Sequence, residues 1–126
     1  MAKKRVEKWI PAARRALCEF KIESDGEIDE MFTGIILEFG AAIISGRLRS
    51  ATAFFSQRGA ASVDRRKVVS AAYYCISGEK WDAETVLEYV YENESPDLKE
   101  QFLDALAALR AAMHFFTIVN KEEHNE

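Results

Sequence analysis

The chain has 126 residues, of which 48% are hydrophobic and 30% are charged, with only 6 glycines and 2 prolines. This length and composition predict one compact domain, residues 1–126, and exclude an intrinsically disordered chain. No stretch is apolar for the length that spans a bilayer, and the charged N-terminus lacks the apolar segment of a secretory signal. We therefore expect a cytoplasmic protein that does not contact a membrane.

The N-terminal third of the chain predicts two helices. Apolar residues recur every three or four positions from Val6 to Leu17, which is one face of an amphipathic helix that Pro11 starts or kinks. The sequence Ser-Asp-Gly-Glu at 24–27 fits a capping box, and a helical apolar stripe follows it. We expect a second helix from about residue 25 to a stop at Gly46.

Two further helices are predicted on either side of the Gln-Arg-Gly sequence at 57–59. Leu48–Phe55 fits a short helix. Ser62 offers an N-cap for a helix over 63–77 that Gly78 would end, although the residue types of that segment also suit a strand.

The C-terminal part predicts two more helices. Asp82 is placed to cap a helix from Ala83 to about Glu92, and Ser95 with Pro96 is placed to start a last helix that runs to about Val119. Its end, 111–119, is apolar nearly all round, so it either lies in the core or offers a face to a partner. Residues 121–126 are expected to form a frayed tail. The predicted fold is all-α, a compact bundle of about five to six helices.

Residues suited to catalysis or metal binding are scarce. The two histidines, His114 and His124, have no metal-ligand spacing around them, and Cys18 and Cys75 form no CxxC pair. The sequence contains no glycine-rich phosphate loop and no nucleophile elbow. We therefore expect no enzymatic activity, no catalytic residue, no metal and no cofactor.

Charge is distributed unevenly along the chain, whose net charge is −4. Residues 1–80 carry 14 basic and 10 acidic residues, whereas 81–126 carry 3 and 11. Between residues 41 and 78 a single acid accompanies six basic residues: Arg47, Arg49, Arg58, Arg65, Arg66 and Lys67. These six are the predicted RNA-binding residues, which would contact phosphates without reading base sequence. They could equally be solvated, or paired with acids of the C-terminal half.

The segment 39–55, which reads FGAAIISGRLRSATAFF, resembles the signature of a known family. In the small subunit of the type III-B (Cmr) CRISPR RNA-guided effector complex, an apolar helix runs into a Gly and a Leu, and an Ala-rich helix ending in Ala-Phe follows. Gly46, Leu48, Ala51, Ala53 and Phe54 occupy that pattern. The sequence departs from it at Arg47, which separates the Gly from the Leu.

The resemblance implies a non-catalytic structural subunit that stacks with copies of itself into the minor filament of the effector complex. Its partners would be the backbone subunits, the large polymerase-like subunit, the guide RNA and the target RNA. The role would be antiviral defence. Two alternatives stay open: the small subunit of a type III-A complex, and a helical protein-protein adaptor that binds no nucleic acid.

Overall fold

The computed structural model of the chain describes residues 2–59 and 62–120. Within these residues it is mostly helical, and its six α-helices confirm the predicted compact helical bundle. The helices are α1 (Ala2–Glu19), α2 (Met31–Ser45), α3 (Leu48–Phe55), α4 (Arg66–Ser77), α5 (Ala83–Asn93) and α6 (Pro96–Ala112). The expected tail, 121–126, lies outside the described residues.

The core is organised around α6, which packs against α1, α2 and α4. Phe102 of α6 is fully buried, and its ring centroid lies 6.3 Å from that of Phe39 in α2. Phe39 in turn lies 5.1 Å from Phe55 of α3. A helix of eight residues is unstable alone in water, so this packing, at about 1.5–3 kcal/mol for each buried phenylalanine, holds α3 in place.

The segment 24–27 forms a hairpin turn and does not start a helix. β1 (Glu23–Ser24) and β2 (Glu27–Asp29) pair antiparallel on either side of it. Asp25 and Gly26 have φ angles of 54° and 81°, the left-handed pair that a two-residue hairpin turn requires. The prediction of a helix from residue 25 is wrong, because the Asp-Gly turn is favoured over the capping box.

The sheet also fixes where α2 begins. The amide of Met31 donates to Asp29 Oδ1 at 3.0 Å, and the amide of Glu30 donates to the carbonyl of Val119 at 2.8 Å. Asp29 therefore satisfies the first open amide of α2, the role that the sequence analysis gave to Ser24.

The last helix ends at Ala112, so its predicted extension to Val119 is wrong. A 3₁₀ turn (Met113–Phe115) follows, and then β3 (Thr117–Val119), which pairs parallel with β2. Three consecutive β-branched residues favour the extended backbone of β3. The resulting sheet has the order β1-β2-β3.

The start of α4 also differs from its prediction. α4 begins at Arg66 with Arg65 as its N-cap residue, so the predicted start at residue 63 with Ser62 as the cap is wrong. Asp64 takes that role, because its Oδ1 accepts from the Arg66 amide at 3.0 Å. The predicted end is confirmed: Gly78 has φ 78° and its amide donates to the carbonyl of Tyr74 at 2.8 Å.

The predicted N-caps of the last two helices are confirmed. Asp82 Oδ1 accepts from the Thr85 amide at 2.8 Å, which starts α5. Ser95 Oγ accepts from the Leu98 amide at 3.0 Å, which starts α6. Each side chain satisfies one of the amides that a helix leaves open at its start.

Candidate nucleic-acid interface

The six basic residues predicted to bind RNA fall into two groups, one at each end of α3. Arg47 and Arg49 lie at its N-terminal end, and the other four follow its C-terminal end. Eight helical residues rise about 12 Å, so the two ends of α3 lie roughly that far apart. We call the four residues Arg58, Arg65, Arg66 and Lys67 the α3–α4 basic cluster.

Arg49 is engaged in a structural contact between α3 and the end of α5. Its Nε lies 3.3 Å from Glu94 Oε1, its Nη2 donates to the carbonyl of Tyr91 at 2.6 Å, and its guanidinium lies 5.6 Å from the Tyr91 ring centroid. Its neighbour Arg47 is exposed. Arg47 lines a shallow groove with Glu94 and Lys99, where the charges partly offset one another.

Arg65 is held in one orientation by three contacts. Its guanidinium carbon lies 4.3 Å from the ring centroid of Phe54, and its Nε donates to the carbonyl of Gln57 at 2.8 Å. Gly59 lies so close that a Cβ there would approach Arg65 Nη1 to 3.1 Å. The terminal nitrogens have no hydrogen-bond partner among the described residues. Arg65 therefore presents N–H donors in a fixed orientation, an arrangement that would reduce the entropy lost on binding an anion.

Arg66 is paired with the acid that precedes α4. Its Nε and Nη2 donate to the two carboxylate oxygens of Asp64, each at 2.9 Å. These hydrogen bonds lower the pKa of Asp64 although its partial burial opposes that change, and the nearby charge of Arg58 lowers the pKa further. Asp64 thus neutralises one cation of the cluster and offsets the positive charge at the start of α4.

The remaining cations of the cluster contact no carboxylate in the described part of the chain. Lys67 Nζ donates to the carbonyl of Lys21 at 3.1 Å, and Arg58 is exposed. Because Asp64 is the only acid between residues 56 and 67, the cluster with its acid carries a formal charge of +3. This is the strongest local positive charge that the predicted residues form.

A groove of about 570 Å³ borders the cluster. Phe20, the residue after α1, lines it, the start of α4 contributes Arg66 and Lys67, and the segment before α5 contributes Lys80 and Trp81. The sequence analysis missed Lys80 and Trp81, although a basic residue beside a tryptophan just before an N-cap was a visible signal.

The apolar segment 111–119 divides between core and surface. Ala112 and Met113 are buried, whereas Phe115 is 56% exposed and Ile118 is 41% exposed.

His114 is exposed on the 3₁₀ turn. In residues 2–59 and 62–120 no three His, Cys, Asp or Glu side chains gather as metal ligands would, and no helix has the length and apolar character needed to cross a membrane.

Comparison with known proteins finds no family model, no curated protein and no solved structure that matches this chain.

Proposed function

We propose that the chain is a non-catalytic small subunit of an RNA-guided effector complex of the type III-B (Cmr) kind, and that its α3–α4 basic cluster contacts RNA phosphates. The cluster carries the proposal, because it gathers a formal charge of +3 within twelve residues beside a groove, in a chain whose net charge is −4. The resemblance of 39–55 to the family supports it, and this segment forms the end of α2, the turn at Gly46 and all of α3. On this proposal the protein acts in the cytoplasm.

Phosphate contact by this cluster needs no base recognition. Arg65 offers its terminal N–H groups from a guanidinium held over the Phe54 ring. Arg58, whose charge acts on Asp64, and Lys67, whose Nζ lies at the Lys21 carbonyl, add positive charge around the start of α4. Each phosphate that they neutralise releases condensed counterions, so binding must weaken steeply as salt is added. A single copy makes few such contacts and binds weakly, whereas several copies lined up along one strand bind together.

The test replaces Arg58 and Arg65, two arginines of the cluster whose side chains form no cap hydrogen bond and no ion pair with the described residues. We expect R58E/R65E to lower the affinity for single-stranded RNA at least tenfold near 0.1 M salt, and to reduce the slope of log K against log salt by about 1.4. Arg66 stays unchanged, because its pairing with Asp64 supports the start of α4. Filter binding or fluorescence anisotropy with a labelled oligonucleotide measures both quantities.

The matched control changes the same formal charge elsewhere. K8E/R110E alters two exposed cations on α1 and α6, and no ion pair of either is among those the described residues form. We expect it to keep most of the binding. An equal loss of RNA affinity in both variants would show that binding depends only on the net charge of the protein, and would overturn the assignment of the cluster.

The adaptor function has one observation in its favour, an exposed apolar stripe on α2. Leu37 is 48% exposed and Ile44 is 67% exposed, and Ala41 lies between them at helical spacing. Such a stripe suits a protein partner. Affinity purification of the full chain from its source cells separates the two functions. An assembly that contains RNA supports the effector subunit, and its other subunits tell type III-B from type III-A. A single protein partner without RNA supports the adaptor.

A further inference from the structure

The groove beside the cluster combines an aromatic platform with cationic side chains. The rings of Tyr73 and Trp81 are stacked, with centroids 4.8 Å apart and planes at 19°. The ring of Tyr89 packs edge-to-face with the indole ring of Trp81, with the two centroids 6.0 Å apart. One face of the indole is therefore covered by Tyr73, and the half-buried Trp81 contributes to the groove lining together with Phe20. A ring fixed in this way loses little freedom when another flat group stacks on it.

Two ammonium groups lie in the same groove and have only weak competing contacts. Lys80 pairs with Glu19 at 3.2 Å, but both side chains are about half exposed, at 58% and 48%, so this pair exchanges readily with another anion. Lys67 contacts a backbone carbonyl and no carboxylate.

The acids of the groove are largely engaged within the protein. Asp64 is bound by Arg66, and Asp82 accepts from the Thr85 amide, whose hydrogen bond lowers the pKa of Asp82. Glu84 is exposed at the groove margin. Asp82 and Glu84 keep their negative charges, so the three acids and three cations of the lining sum to a formal charge of zero. Within the lining the two lysines are the cations that no carboxylate hydrogen bond holds.

From this arrangement we infer that the groove binds one nucleotide of a single RNA strand, with the base stacked on Trp81 and the adjoining phosphate held by Lys67 and Lys80. The volume of about 570 Å³ is within the range of small-molecule sites. Stacking on an aromatic ring accepts every base, so the site adds affinity without sequence preference. The inference rests on the proposed function, because it places one base of the RNA whose backbone follows the cluster.

The experiment compares two ligands of equal length and charge, a short oligouridylate and an abasic ribose-phosphate oligomer. The protein is the full chain with W9F, which leaves Trp81 as the one tryptophan. We expect the oligouridylate to bind at least about fivefold more tightly and to quench the Trp81 emission, and the abasic oligomer to leave the emission unchanged. W81L should lower the affinity for oligouridylate to the abasic level, and W81F should retain most of it.

Thermal unfolding of W81L shows whether this variant is folded. If W81L is unfolded, the comparison of the two ligands on the W9F chain still tests the inference. Equal affinities for both oligomers with unchanged emission would overturn the inference. If R58E/R65E still weakens both oligomers in that case, the proposed function survives, since neither arginine lines the groove. If W81L instead removes a protein subunit from the purified assembly and leaves RNA binding intact, the groove belongs to a protein partner and the inference also falls.

Discussion

Replacing Asp64 with alanine should raise the affinity for RNA while it lowers stability. Asp64 binds both Nε and Nη2 of Arg66 and accepts from the Arg66 amide at the start of α4. D64A removes the one carboxylate of the α3–α4 basic cluster and releases the Arg66 guanidinium. The formal charge of the cluster region rises from +3 to +4.

The expected loss of stability and the expected gain in RNA affinity are each about 1 kcal/mol. Loss of a capping carboxylate costs about 1 kcal/mol of stability, which lowers the unfolding midpoint by roughly 3–5 °C in a domain of this size. One more phosphate contact at about 4 Å in water contributes about 1 kcal/mol, or roughly fivefold in affinity. It should also steepen the slope of log K against log salt by about 0.7. Circular dichroism measures the stability, and fluorescence anisotropy at several salt concentrations measures the binding.

Acid pH provides a second measure of the same carboxylate. The pKa of Asp64 is lower in the folded protein than in the unfolded chain, mainly because Arg66 donates to it. Its stabilising effect is therefore complete above about pH 4 and is lost as the pH falls through the folded pKa. The stability of D64A should depend less on pH in that acid range than the stability of the wild type.

Two controls separate the effects of the missing cap and the changed charge. S95A removes the N-cap of α6 and should lower stability to a similar degree with RNA affinity unchanged. D97A removes one exposed acid from the first turn of α6, which changes the net charge by the same amount away from the cluster. If D64A binds RNA no more tightly than D97A does, the reasoning about Arg66 is refuted.

Two further predictions concern the fold. Asp104 is 4% exposed, and its Oδ2 lies 2.7 Å from Nε of Arg5. R5A leaves that buried carboxylate unpaired and should lower the free energy of unfolding in urea by about 2–3 kcal/mol, whereas D104A should lower it less, because Arg5 can be hydrated. Additive effects in the double variant would contradict this pairing. Burial raises the pKa of Cys75 to about 12. A thiol reagent near pH 8 should therefore label the exposed Cys18 in the native protein and label Cys75 only after unfolding. Rapid labelling of both cysteines in the native protein would show that α4 is misplaced.

The features predicted correctly from the sequence are those decided within a few residues. Asp82, Ser95 and Gly78 each complete a helix end through a bond to a group three or four positions away. Such signals can be read locally, because the partner is fixed by the helix geometry itself.

The errors occurred where a distant segment decides the structure. The apolar run 111–119 has the composition of a helix core, but Thr117–Val119 pairs with Glu27–Asp29, which lies far earlier in the chain. Parallel pairing leaves no local pattern, since its two strands are joined by the whole of the intervening bundle. The hairpin at Asp25 and Gly26 was different: its Asp-Gly signal was present, and the overlapping capping-box pattern was preferred in error.

The candidate site shows the same division between what is local and what is distant. The sequence reveals that six cations are crowded between residues 47 and 67, but not which of them an acid already holds. Glu94, which follows α5, pairs with Arg49, so the charge of Arg49 cannot be counted toward a ligand. The sequence shows Asp64 two positions before Arg66, but only the structure shows that Nε and Nη2 of Arg66 both donate to its carboxylate.

On the proposed function, the small number of uncompensated cations predicts that tight RNA binding needs several copies of the chain. α3 separates Arg47 from Arg58, Arg65 and Lys67, so one copy presents a small patch and cannot track a long strand by itself. Few contacts per copy give weak, salt-sensitive binding. When copies are held side by side by other contacts, each patch meets the strand at a high effective concentration, and the affinities combine. A protein of this design should therefore bind RNA tightly only as part of an assembly.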